Sequence, residues 1–118
     1  MSLVDSAHIR VQGGKKRSYP RFTPPVSPLG GFMSGDHRIT GDVFKISRSG
    51  LYLMTQEPLR VGMPGKLGVT LPDWFFRVNA VVRSTEPSRG AGIEFVSMSS
   101  QDREALSSYC DFLRRLTQ

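Results

Sequence analysis

The sequence predicts an all-β domain closed by a single C-terminal helix, arranged as an antiparallel barrel. Three observations carry this. Short runs rich in β-branched and aromatic residues recur between residues 21 and 98, separated by glycine, proline and serine turns. Several of these runs alternate apolar and polar positions, the period of a half-buried strand. After Ser99 the period changes to three and four residues, that of an amphipathic helix. With 118 residues and 38% hydrophobic content, the chain has room for one modest core and one domain. Five or six short strands followed by one helix suit a barrel that the helix plugs or flanks.

The elements follow in order. Residues 1–20 show no sustained periodicity and contain Gly13 and Gly14, so residues 1–16 read as a flexible N-terminal arm and residues 17–118 as the barrel domain. "RFTPPVSPLGGFMSG", residues 21–35, is extended but carries three prolines, which predicts at best an edge or interrupted strand. "HRITGDVFKIS" is a β-branched strand, "SRSG" a turn and "LYLMT" a short strand. "EPLRVGMPG" reads as loop, and "KLGVTL" alternates with Leu67, Val69 and Leu71 on one face. "WFFRVNAVVR" is the clearest strand, with Trp74, Phe76, Val78, Ala80 and Val82 on its core face. "AGIEFVSM" directs Ile93 and Phe95 together. The helix spans about residues 100–116, built on Leu106, Tyr109, Leu113 and Leu116 and capped by Ser99 or Ser100, with Asp102 and Glu104 near its start and Arg114 and Arg115 in its last turn.

Lys and Arg total 16 against 10 Asp and Glu, a net charge of +6, and twelve of the cations are arginine. Such a balance points to an anionic partner, and arginine offers phosphate or the O6/N7 edge of guanine a planar fork that lysine lacks. No run approaches the ~20 apolar residues of a spanning helix, so membrane insertion is not expected. The first residues lack the pattern of a secretory signal, and one cysteine, Cys110, precludes an internal disulfide; a reducing, cytoplasmic setting is expected. His8 and His37 have no partners at metal-ligand spacing and read as solvated. Cys110 lies on the helix without a base and reads as a packed thiol. No enzyme constellation and no cofactor motif is present; "GGKKRSYPR", residues 13–21, lacks the spacing of a phosphate loop.

That segment nevertheless carries Arg17 and Arg21 in the order R-x-x-x-R, behind Lys15 and Lys16. Twelve arginines in a chain of this length give about one i,i+4 pair by chance, so the pair alone has no weight. Pro20 disfavours the helical region for Tyr19, which places the two arginines on an extended elbow. Further on, "ISRSGL", residues 46–51, sets Ser47 and Gly50 at S-x-x-G spacing on a strand junction, and "GIEF" precedes the terminal helix. This combination and its order resemble the PilZ domain family from about Lys15 to Phe112.

The resemblance implies a bacterial receptor for cyclic di-GMP on a six-stranded antiparallel β-barrel. It implies that Arg17 and Arg21 clamp the ligand's guanines and phosphates, that Ser47 contributes its hydroxyl, and that Gly50 lets the backbone turn sharply and come close. Lys16 stands immediately before the arginine pair, where the family's residue influences whether one ligand or a stacked pair binds; a cation favours the pair. One position departs. The family's second motif begins with Asp or Asn two residues before the serine, and here that residue is Lys45, a donor in place of an acceptor. Asp42 is the nearest preceding carboxylate, but an odd offset in a regular strand puts it on the opposite face, and only a β-bulge between the two would return it. Three function classes follow: a cyclic di-GMP receptor acting through a downstream protein partner; a degenerate adaptor that binds a protein without nucleotide; and, less favoured, a basic barrel that stacks single-stranded nucleic acid on Trp74 and Phe75.

Overall fold

The structure, a computed structural model, describes residues 8–10 and 19–117. Its elements are β1 (His8–Arg10), β2 (Leu29–Ser34), β3 (His37–Ile46), β4 (Gly50–Met54), β5 (Pro64–Thr70), β6 (Phe75–Glu86), β7 (Gly90–Ser99) and α1 (Ser100–Leu116). Strands β2 to β7 form a six-stranded barrel in the order β7-β4-β3-β2-β5-β6, closed by pairing of β6 with β7. Every pairing is antiparallel. The fold is thus the expected all-β barrel with one C-terminal helix.

The alternating positions fill the interior. Leu67, Val69 and Leu71 are buried, as are Phe76, Val78, Ala80 and Val82, and Ile93 with Phe95. Phe76 and Phe95 meet edge to face, with ring centroids 5.9 Å apart. The helix covers β6 and β7 through Leu106, Tyr109, Cys110 and Leu113. Ser99 is its cap, the Oγ accepting from the Asp102 N–H at 3.1 Å.

Three expectations change, and one further pairing is added. The strand after the prolines is no edge: β2 starts after Pro28 and lies between β3 and β5, because the prolines end before the ladder begins. Trp74 lies outside β6 and is half exposed, since its indole N–H donates to Asp102 Oδ1 at 2.9 Å instead of entering the core. Leu116, in the last turn of α1, is also exposed. Within the segment read as an arm, His8–Arg10 pair with Ser97–Ser99 of β7.

Candidate functional site

The outer surface over β3, β4, β7 and the end of β6 carries an open groove of about 800 Å3. That volume lies within the ~300–1,000 Å3 of small-molecule sites. Its chemistry depends on two β-bulges. On β3, Val43 pairs with Leu53 and Lys45 with Tyr52, so Phe44 is an extra residue. On β6, Val82 pairs with Ile93 and Ser84 with Gly92, so Arg83 is extra. Each bulge turns two consecutive side chains outward, Phe44 with Lys45 and Arg83 with Ser84, and all four line the groove.

The β3–β4 junction forms one end. The Ser47 N–H donates to the Gly50 carbonyl at 2.8 Å, and the Ser49 N–H donates to Ser47 Oγ at 3.1 Å. Ser47 is the one buried polar side chain among the described residues. Its hydroxyl therefore organises the turn first and is available to a ligand second. Gly50 also answers to the fold. An added Cβ would lie 2.5 Å from the Ile93 carbonyl oxygen, so glycine is required by the close approach of β7. Arg48, at the tip of the turn, pairs with Asp111 of α1 at 2.8 Å.

Arg21 reaches this junction because the next residue is anchored there. Phe22 and Ile46 exchange both backbone hydrogen bonds, each 2.9 Å, which holds Arg21 against the end of β3 next to Ser47. Arg21, Lys45, Ser47 and Gly50 all line the one groove. Lys16 and Arg17, the other two expected ligand-binding residues, lie outside the described residues. The Lys45 ammonium sits 5.7 Å from the centroid of the Phe44 ring. The β3 bulge also overturns the expectation that Asp42 faces away from Lys45: both are exposed on the outer surface, although Asp42 does not line the groove.

The sequence reading missed the far wall. Arg83 and Glu94 form an ion pair there, and the Tyr52 hydroxyl donates to Glu86. Burial, followed by the Glu86 hydrogen bond, raises the Tyr52 phenol above its usual range. Two adjacent polar residues, Arg83 and Ser84, interrupt the alternation of "RVNAVVRS", and that break was the available signal. The groove holds four cations, Arg21, Lys45, Arg83 and Arg89, against two carboxylates, Glu86 and Glu94, a surplus of two positive charges.

Other features offer less. Among the described residues no three metal-ligating side chains cluster, and no helix is long and apolar enough to cross a membrane. Cys110 is buried, and burial pushes its thiol up to about 12. Phe75 lies over Gly68 and carries the Arg77 guanidinium 5.4 Å from its ring centroid, while Trp74 is held by Asp102. The two candidate stacking rings are thus engaged with their own chain.

No curated protein matches the chain significantly. Among solved structures, the Bacillus subtilis inhibitor of motility MotI/DgrA is 22% identical with a TM-score of 0.71, over 88% of this chain and 53% of that one. Escherichia coli YcgR in complex with c-di-GMP is 19% identical with a TM-score of 0.70, over 86% of this chain and 47% of that one. This chain thus spans about half the length of those two proteins. The isolated PilZ domain of YcgR with c-di-GMP matches over 87% of this chain and 95% of its own, at 18% identity and a TM-score of 0.65. The family model described as "PilZ domain" matches residues 15–112, nearly the whole described barrel and the segment leading into it. With the barrel order, the S-x-x-G junction and this match in agreement, the chain belongs to the PilZ domain family.

Proposed function

We propose that the chain is a non-catalytic receptor domain that binds cyclic di-GMP in the β3–β4–β7 groove and signals to a downstream protein. The observation that carries this reading is that Arg21 converges with Lys45, Ser47 and Gly50, a cluster distant from it in sequence, on one groove with an excess of positive charge. Cyclic di-GMP brings two phosphates and two guanines. Arginine forks suit both, through phosphate oxygens and the guanine O6/N7 edge. The surplus of two charges in the groove matches the two phosphates. YcgR, a similar fold, has been solved with this ligand, which supports the choice of nucleotide.

Arg17 is assigned as the second arm of the clamp, and Lys16 as the cation that favours a stacked pair of ligands. Calorimetric titration with cyclic di-GMP, with GTP and cyclic di-AMP as controls, tests the reading. Saturable heat with cyclic di-GMP, lost in an Arg17→Ala/Arg21→Ala double variant, is the expected result. No heat with any nucleotide rejects it.

One observation favours a second reading. Lys45 lines the groove at the position where the family carries an acceptor, so an adaptor that binds protein without nucleotide is the alternative. Nucleic acid is the weaker candidate, because Trp74 and Phe75 are already occupied by Asp102 and Arg77. A cytoplasmic receptor is consistent with the single buried thiol.

A further inference from the structure

The groove lacks an acceptor at residue 45 but has a carboxylate on its opposite wall. We propose that Glu94 reads the guanine base, taking the N1–H and N2–H donors that the residue at position 45 can no longer accept. The inference rests on the cyclic di-GMP reading above.

The placement follows from the strands. Ile93 and Phe95 point into the core, so Glu94 between them points out. Its cross-strand partner on β4 is Gly50. With no side chain at that partner, only bare backbone separates Glu94 from the S-x-x-G junction, and both line the one groove. It is also sheltered: the Glu94 side chain retains 19% of its exposure, against 62% for Arg83 beside it. A hydrogen bond in such a partly desolvated position discriminates more strongly than one in open water.

Arg83 does not remove Glu94 from use. The Arg83 Nε holds Oε1. An ionised carboxylate offers about four lone-pair sites on two oxygens, so one arginine leaves acceptor capacity for a base. The pair also fixes the carboxylate's orientation, and the β6 bulge is what aims Arg83 at it.

The chemistry selects guanine in two ways. The arginine forks read O6 and N7, and a carboxylate takes the separate N1–H and N2–H edge, so both can act on one base. Adenine presents an unprotonated N1 to the same carboxylate and has no N2 amine. Lone pair would then face lone pair, which adds rejection to the lost attraction. Lys45 adds positive charge to the groove and none of this discrimination.

The test measures affinities of wild type and Glu94→Gln for cyclic di-GMP, cyclic di-AMP and cyclic di-IMP, the last lacking the N2 amine. Glu94→Gln preserves shape, and a matching thermal unfolding midpoint certifies its fold. The expected result is a preference for cyclic di-GMP over cyclic di-AMP that falls about tenfold or more in the variant, the scale of a lost bidentate base contact. Wild type should also prefer cyclic di-GMP to cyclic di-IMP, and the variant should lose most of that preference. Arg83→Gln separates the roles, because it leaves the acceptor in place: it should weaken all three ligands while reducing the preference for cyclic di-GMP less than Glu94→Gln does. If Glu94→Gln keeps the wild-type ratios while binding persists, the assignment of Glu94 is overturned and the receptor reading stands. If wild type binds none of the three, the receptor reading falls and takes this assignment with it.

Discussion

Gly50 shows how a motif residue can answer to the fold before it answers to a ligand. A Cβ there would press on the Ile93 carbonyl, which belongs to backbone and cannot swing aside. Gly50→Ala should therefore destabilise the barrel by about 1–3 kcal/mol, the usual scale of overpacking. Denaturant unfolding without nucleotide checks this; an unchanged midpoint would return Gly50 to a role in ligand approach alone. Lys45 is the opposite case, an exposed side chain that the fold does not need. Lys45→Asp restores an acceptor beside Ser47 and removes one cation. It should tighten cyclic di-GMP binding and flatten its dependence on salt. Titrations at two salt concentrations decide it, and weaker binding would make Lys45 a phosphate contact in its own right.

At the scale of elements, the helix start is fastened to the barrel through Asp102. Its carboxylate accepts from the Trp74 indole at 2.9 Å and from the Arg77 N–H at 3.2 Å, while its own N–H is capped by Ser99. Asp102→Ala removes both outward bonds. Charge-assisted hydrogen bonds of this kind are worth more than neutral ones, but these are exposed, so the expected loss is about 1–2 kcal/mol. Trp74 is the only tryptophan, and its emission should shift in the folded variant; an unaltered spectrum and midpoint would contradict the role given to Asp102. The strands and helix were legible because alternation and the three-four period record which side chains are buried. Arg21, Ser47 and Gly50 were legible through their spacing. The bulges were not, because alternation assumes one residue faces one partner. Asp42 was therefore assigned to the wrong face, and Arg83 and Glu94 were not singled out. Trp74 was misread for a related reason: it stands just before β6, where the alternation has not yet begun.

For the molecule as a whole, the buried thiol and phenol set its tolerance of alkali. Cys110 is raised to about 12, first by burial, with Asp111 adding to the rise and Arg48 opposing it. Tyr109 beside it is raised by burial and then by Cys110. Unfolding releases both groups to titrate near their ordinary values, 9.0 for the thiol and 10.0 for the phenol. The folded state then holds protons that the unfolded state gives up, so stability falls as pH rises. The thiol's contribution is complete below about pH 9 and declines toward 12, and the phenol's declines from about pH 10 upward, each by at most ~1.4 kcal/mol per pH unit. Denaturant midpoints from pH 8 to 11 should show the decline, and Cys110→Ala should make it shallower. A flat profile would mean that the thiol is accessible in the native barrel.

The two bulges have a consequence for how such a surface can change. In a regular strand, removing one residue turns every later side chain to the other face and empties the core. At Phe44 or Arg83 the same removal merely restores regular alternation, since each is the surplus residue against its partner strand. The ligand groove is thus encoded partly by length, and the core by residue type. A scan of single-codon deletions should find these two positions unusually permissive for folding and costly for nucleotide capture, a separation that replacement of side chains one at a time cannot produce so cleanly. Variation of this kind lets a barrel gain or shed a recognition surface in one genetic event while its interior remains intact.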